Sequence, residues 1–476
     1  MGFTAEFAYF KAMKRPISTA ALLIAFSLVH TFAWSQSVPE KLTAAFQKFE
    51  EDPQLRNAIA SLYVQDAQTG QVLFDKNGLV GLAPASTMKV ITSISAYELL
   101  GRNFRYETKF AYNKAKEKPG LLILPSGDPT FGSWRWPETK ETNVLKGLTQ
   151  ALQRTGIRSF GAVTIANEGW NEETVPDGWM WQDIANYYGA GPAKLNWREN
   201  QYDVILRSGK RIGDPVVIVK TVPALNGYTL KSELTSAAAG TGDNAYIYFP
   251  LSAPEATIRG TIPVNESTFK ISGAMPSADQ QFVSTLSDTL RTTGIQLPKL
   301  PAQLHSKLPQ DNYTIFHTIT SPPLDSIVYW FNRRSINLYG EALVKTIAYQ
   351  NAGSSATGKG LEQIRAFWEK HGIPETELSM VDGSGLSPLN RVTTHAQVKL
   401  LQHARSQDWY NGFYASLPVF NGMKMKSGTI RGAKGFCGYH KAKDGKEYVF
   451  SFIVNNYNGS AGPLVQKMYK VLDELK

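Results

Sequence analysis

A single cysteine, Cys437, stands in 476 residues, so no internal disulfide can form and the fold has to be held by buried apolar surface. Charged residues make up 19% and hydrophobic residues 42% of the chain, a balance that excludes disorder and supports two or three domains with their own cores. The net charge is +10, yet it comes without a basic run, a zinc-finger spacing or an RNA-binding signature, so no nucleic-acid partner is expected. None of the seven histidines (His30, His305, His317, His371, His395, His403 and His440) belongs to a His-Glu-x-x-His or similar ligand pattern. No metal and no other cofactor is therefore expected, and most of these residues are assigned to the surface or to helix ends. Cys437 itself reads as a small buried hydrophobe rather than a reactive thiol.

Apolar runs long enough to cross a bilayer are also lacking. The run Ala20 to Val29 follows Lys14 and Arg15, is broken by Ser27, His30 and Thr31, and falls short of the roughly 20 apolar residues of a span. Ala33, Trp34 and Ser35 then place small residues where a signal peptidase reads. Residues 1–35 are expected to be a signal peptide cleaved near Ser35, which puts the mature chain in the periplasm or another extracytoplasmic space. An uncleaved anchor is the alternative, and peripheral membrane or wall association is compatible with the positive charge.

Around Gln68-Thr69-Gly70, residues 58–75 hold two β-type runs that read as a hairpin. From Ser86 to Leu100 the apolar spacing turns helical and stops at Gly101. Further helices are predicted at about 324–350, 360–371, 394–406 and 462–475, and a closing hairpin at 433–440 and 447–455. Residues 106–310 are dense in Gly, Pro and Thr with short alternating runs, and helices are predicted there at about 144–155 and 278–293. The expectation is an α+β chain: one domain split into 36–105 and 311–476, and a β-rich insertion, 106–310, that forms two small domains. The tryptophans of the insertion (Trp134, Trp136, Trp170, Trp179 and Trp181) are suited to stacking on sugars, but anchoring of cores and loops is the preferred assignment.

Ser86-Thr87-Met88-Lys89 sets a hydroxyl and an amine one helical turn apart on one face. A neutral lysine there can take the serine proton, provided burial and a neighbouring positive charge lower its pKa. The helix N-terminus adds a backbone N–H for an oxyanion. The spacing recurs at Ser267 and Lys270, but in an alternating stretch that sends the two side chains to opposite faces. Ser335-Ile336-Asn337 offers a hydroxyl to relay a proton to a leaving amine and a carboxamide to hold a substrate backbone. Lys426-Ser427-Gly428 supplies positive charge for a substrate carboxylate, a hydroxyl beside it, and a residue without a side chain against which substrate can lie. The N–H of Thr429 is the natural second oxyanion donor.

The order of these three motifs resembles that of penicillin-recognising serine enzymes. With the flanks Pro84-Ala85, with Gly127-Asp128-Pro129-Thr130, with Asp382-Gly383-Ser384-Gly385-Leu386-Ser387, and with Ser321-Pro322-Pro323-Leu324, nearly all the mature chain resembles the class C low-molecular-mass penicillin-binding proteins. That resemblance implies a penicillin-recognising, transpeptidase-like domain, an antiparallel sheet flanked by helices and split by a large insertion. It also implies a serine D-alanyl-D-alanine carboxypeptidase or endopeptidase acting on peptidoglycan peptides, with β-lactam antibiotics as covalent inhibitors. A β-lactamase or esterase on the same core and a non-catalytic wall-binding protein are the alternatives. Three features depart from the family: Ile336 where aspartate is frequent, Ser427 in place of threonine, and a short segment from Leu417 to Lys426. Because all three motifs lie outside it, the insertion is expected to steer substrate and to take no part in the chemistry.

Overall fold

The computed structural model describes residue 1 and residues 37–113, 118–225, 227–250, 255–298, 304–306 and 313–476. The expected leader and its cleavage site lie outside the described residues. Among the described residues no helix is long and apolar enough to cross a membrane.

The two ends of the chain are knitted into one six-stranded antiparallel sheet. Its order is Val419–Phe420, Met423–Ile430, Ala433–Lys441, Glu447–Asn455, Ile59–Asp66 and Val72–Lys76. The first strand enters beside the last, with Ile59 opposite Asn455 and Asp66 opposite Tyr448, so an early segment becomes an inner strand with six consecutive buried residues. Its hairpin turns where Asp66 Oδ1 accepts from the N–H of Gln68 (2.9 Å) and Thr69 (2.8 Å), with Gly70 at φ 74°.

Helices cover both faces. On one, Val38–Glu50 and Ala461–Leu472 set Phe46 and Phe49 against Phe452, with ring centroids 5.8 and 5.2 Å apart. On the other, the helices Met88–Leu100 and Thr394–Ala404 pack side by side, the latter directly on the sheet, where Ser451 Oγ donates to Gln397 Oε1 (2.6 Å) and Tyr439 Oη to the Leu401 carbonyl (2.7 Å), and Leu324–Arg334, Asn337–Ala352 and Thr357–Lys370 form an outer layer. Residues 88 to 97 of that central helix are all buried, because it has neighbours on every side. The single helix predicted at 324–350 is in fact two. Ser335 adopts left-handed backbone, φ 56° and ψ 43°, closes the first helix and lets Asn337 open the second; no glycine or proline signals the break.

Between the two parts of this sheet's chain, a second core is built from a five-stranded sheet and two three-stranded ones. The five-stranded sheet runs Leu304–Ser306, Ala162–Ala166, Gly120–Leu124, Glu107–Asn113 and Tyr313–Thr320, and the helices Glu141–Thr155 and Ala278–Arg291 contribute to the same core. Tyr313–Thr320 pairs antiparallel with Glu107–Asn113, so this sheet reaches past position 310, where the sequence reading had drawn its boundary. The outgoing and returning strands of an insertion have the same end to start from, and pairing them satisfies both ladders.

The inserted body is docked onto the helical layer by hydrogen bonds. Trp179 Nε1 donates to Asp382 Oδ2 (3.0 Å), Tyr339 Oη to Glu199 Oε1 (2.8 Å), and the Asn171 N–H to Ser355 Oγ (2.7 Å). Trp170 and Trp179 are buried and Trp136 packs on the core of the helical layer, whereas Trp134 and Trp181 stay exposed. Gly127-Asp128-Pro129-Thr130 forms a buried turn in which Asp128 Oδ1 accepts from the Thr130 N–H (2.8 Å) and hydroxyl (2.7 Å).

Candidate active site

A cleft of about 830 Å³ opens between the helical layer and the inserted body, lined by Ser86, Ser335, Asn337 and Thr429 from one side and by Met180, Asp183 and Tyr188 from the other. Ser86 sits in the short 3-10 turn Ala85–Thr87 that leads into the central helix. The preceding Ala85 has φ 48°, a left-handed conformation that is costly for a residue with a Cβ and is typical of functional turns.

Lys89 lies one turn further on, fully buried. Its Nζ is 3.0 Å from Ser86 Oγ and donates to Asn337 Oδ1 and to the Ser384 carbonyl, each at 2.6 Å. Burial, and then the Lys426 ammonium, hold its pKa well below the ordinary lysine value, against a smaller opposing pull from Asp382 and Glu341. An uncharged amine has two hydrogens and one lone pair. In the ammonium form all three contacts are donated; in the neutral form, two hydrogens kept on Asn337 and Ser384 would leave the lone pair for the Ser86 hydroxyl.

Lys426, also buried, comes from the strand Met423–Ile430 and donates to Ser335 Oγ (3.0 Å) and to the Ser427 carbonyl (2.8 Å). Burial pushes its pKa down to about 7, with Cys437 opposing and Lys434 assisting. Ser427 follows on the same strand, and Thr429 Oγ1 accepts from Lys434 Nζ at 2.8 Å. Met423–Ile430 pairs with Ala433–Lys441 along its length but with Val419–Phe420 only at Met423 and Lys424, which leaves the edge beyond Lys426 facing the Ser86 turn. The shortened segment before Lys426 is a tight hairpin on Asn421-Gly422, with φ of 50° and 73°.

Beyond the expected room for substrate, Gly428 has a steric reason of its own: a Cβ there would lie 2.6 Å from the Pro84 carbonyl and 2.8 Å from the N–H nitrogens of Ser86 and Thr87. The missing side chain lets strand and nucleophile turn touch. Cys437, across the strand pair from Lys426, is buried and free, and burial pushes its thiol up to about 12. Ser267 and Lys270 are remote from this arrangement, with Lys270 Nζ on Asp203 Oδ2 (3.3 Å).

Several groups beyond the motifs hold the site. Asp382 is buried and accepts from the N–H of Gly385 (2.7 Å) and Ser387 (2.6 Å), from Asn390 Nδ2 (2.8 Å) and from Trp179. Glu341 Oε2 accepts from the Gly383 N–H at 2.9 Å, and burial together with the nearby Asp382 carboxylate pushes the Glu341 carboxyl up. These bonds fix the loop that offers the Ser384 carbonyl to Lys89. In the sequence Asp382-Gly383-Ser384-Gly385 carries part of the family resemblance but shows no site role of its own, because its contact with Lys89 is through main chain. The carbonyl of Tyr188, which accepts from Asn337 Nδ2 at 2.7 Å, carries no sequence signal at all.

The arrangement carries a testable pH dependence. Lys89 has to be neutral to accept a proton, so kcat/KM rises as pH passes its lowered pKa. If Lys426 attracts a substrate carboxylate, as expected from the sequence, it has to be charged, and kcat/KM is expected to fall again as pH rises above about 7. Lys426→Arg, which keeps its charge but cannot pass a proton on, is expected to lower kcat and to move the descending limb to higher pH; a limb unmoved in that variant would free Lys426 from the assignment.

A buried lysine beside a serine at a helix start, at the edge of an antiparallel sheet between helical layers, defines the penicillin-recognising class of active-site serine enzymes, and the fold is that α+β fold with added β-rich bodies. The sequence model of the D-Ala-D-Ala carboxypeptidase 3 (S13) family matches residues 42–474, and the chain belongs to that family. It is a serine peptidase and a low-molecular-mass class C penicillin-binding protein. Among its relatives, a D-alanyl-D-alanine carboxypeptidase of an Actinomadura species is 26% identical over 461 residues, covering 87% of this chain and 81% of the relative. The D-alanyl-D-alanine carboxypeptidase DacB of Haemophilus influenzae is 22% identical over 482 residues, 96% of each. The crystal structure of penicillin binding protein 4 from that organism superposes with a TM-score of 0.75 at 21% identity, covering 91% of this chain and 99% of the other.

Proposed function

We propose that the enzyme hydrolyses D-alanyl peptide bonds of peptidoglycan stem peptides and crosslinks through an acyl-enzyme on Ser86, outside the cytoplasm, and that β-lactams trap that intermediate. The observation that carries this reading is the position of Lys89, buried, with Nζ 2.6 Å from two acceptors and 3.0 Å from Ser86 Oγ, where a neutral amine would turn its lone pair to the serine.

Lys89 takes the Ser86 proton as Oγ attacks the carbonyl. The oxyanion forms between the N–H groups of Ser86 and Thr429, on the turn and the strand that Gly428 brings into contact. Ser335 accepts from Lys426, so its own O–H is free for the departing amine, and the Lys426 ammonium replaces that proton. Lys426, Asn337 and Ser427 hold the substrate's carboxylate and backbone. Water then attacks the ester, one of its protons passing to Lys426 while Lys89 returns the serine proton.

Purified muropeptides test the assignment. Loss of one alanine from a pentapeptide marks the carboxypeptidase, and conversion of a crosslinked dimer to monomers marks the endopeptidase, both read by mass. Either product is expected from the wild-type enzyme; no product from either substrate, or a penicillin adduct mapped to a residue other than Ser86, would refute the proposal.

A further inference from the structure

We infer that the inserted body sets the catalytic base: the main-chain carbonyl of Tyr188 fixes the orientation of the Asn337 carboxamide, and through it the direction of the Lys89 lone pair. The inference rests on Ser86 and Lys89 acting as proposed above, and it departs from the expectation that the insertion only steers substrate.

Asn337 is buried to within 7%, so its carboxamide has few partners to choose from. Oδ1 accepts from Lys89 at 2.6 Å while Nδ2 donates to the Tyr188 carbonyl at 2.7 Å. The second Nδ2 hydrogen remains for substrate. In the flipped rotamer two carbonyl oxygens would face each other across 2.7 Å, and Nδ2 would aim a hydrogen at Lys89. The only group on a neutral amine that can accept it is the lone pair, which would then turn away from Ser86. The Tyr188 carbonyl therefore selects between a carboxamide that aims the base and one that occupies it.

Tyr188 is held in place from within the inserted body. The turn Tyr187–Gly189 starts at Asn186, which is buried. Asn186 Nδ2 donates to the Gln182 carbonyl (2.7 Å), Asn186 Oδ1 accepts from the Ile247 N–H (3.0 Å), and its own carbonyl accepts from the Gly189 N–H (2.7 Å). A Cβ at Gly189 would lie 2.1 Å from the Asp183 carbonyl. Neither Asn186 nor Gly189 lines the cleft, so both act as positioning residues.

The test measures acylation by a fluorescent penicillin in full-length Asn186→Asp and Gly189→Ala, with thermal melting as the check on folding. Asn186→Asp keeps the acceptor for the Ile247 N–H and loses the donor to the Gln182 and Ile247 carbonyls, so its acylation rate carries the test even where Gly189→Ala does not fold. The expected result is acylation slowed about 10-fold or more at saturating penicillin, with non-covalent affinity within about two-fold. The pH profile separates positioning from general loosening. Lys89 is faced by Lys426 from the strand, Asp382 from the loop and Glu341 from the neighbouring helix; because Asn186→Asp adds a carboxylate that would itself raise the lysine, the limb is compared in Gly189→Ala, which changes no charge. Losing Asn337 Oδ1 removes an acceptor from the ammonium form, so the ascending limb is expected to move to lower pH even as the rate falls. Loosening that admits water would instead restore the lysine toward its ordinary value and move the limb up. Wild-type rates in a folded variant, or a limb that moves up, would overturn the inference. Failure of the wild-type enzyme itself to acylate at Ser86 would sink the proposed function instead.

Discussion

Lys89→Arg is expected to fold, and to acylate with penicillin at least roughly 100-fold more slowly than wild type, while Ser86→Ala forms no adduct at all. The guanidinium preserves charge and much of the length but stays protonated at any usable pH and has no lone pair to offer. Lysine at this position works because it can be emptied of its proton: burial and the Lys426 charge disfavour the ammonium. The two acceptors at 2.6 Å then orient what remains. Rates of adduct formation with a fluorescent penicillin, followed on gels, decide the matter. A Lys89→Arg enzyme reacting at the native rate beside an inert Ser86→Ala would leave serine catalysis standing and remove lysine as the base.

Gly428→Ala is expected to cost about 100-fold or more in acylation, the scale of losing an oxyanion donor, by a purely steric route. The added methyl meets main chain, the Pro84 carbonyl and the Ser86 and Thr87 nitrogens, none of which is the flexible end of a side chain. The strand Met423–Ile430 and the nucleophile turn must therefore separate, which spreads the two proposed N–H donors while leaving Ser86, Lys89 and their hydrogen bonds in place. Acylation kinetics and the melting temperature together make the check: a folded Gly428→Ala enzyme with wild-type acylation would mean that contact between strand and turn does not shape the oxyanion site.

Legibility from sequence differed by the kind of contact. Ser86 with Lys89, Ser335 with Asn337, and Lys426, which the structure brings together, stood out as candidates because the proposed chemistry belongs to side chains at short spacings. The hairpin at residues 58–75 and the closing hairpin were readable because β-favouring runs flank glycine-containing turns, although three of their four strands are buried almost throughout. The break at Ser335 was not, because left-handed backbone at a serine is imposed by its surroundings rather than by its own preference. The pairing of Tyr313–Thr320 with Glu107–Asn113 was missed because register between distant strands leaves no local trace. The hairpin at Asn421-Gly422, by contrast, carries the plainest of turn signals and was there to be read.

What the sequence determined by itself was the set of reactive groups and their local presentation: a hydroxyl and an amine one helical turn apart, and a second serine, an amide and a second lysine further along. Helix periodicity and the burial of an apolar chain act over a few residues, and a single sequence records them. Only the tertiary structure decided which of these groups meet, which lysine is fully desolvated beside the nucleophile, and why residue 428 has no side chain. It also decided the part played by the carbonyls of Ser384 and Tyr188, for a peptide oxygen is the same in every residue and acquires a function only from where the fold puts it.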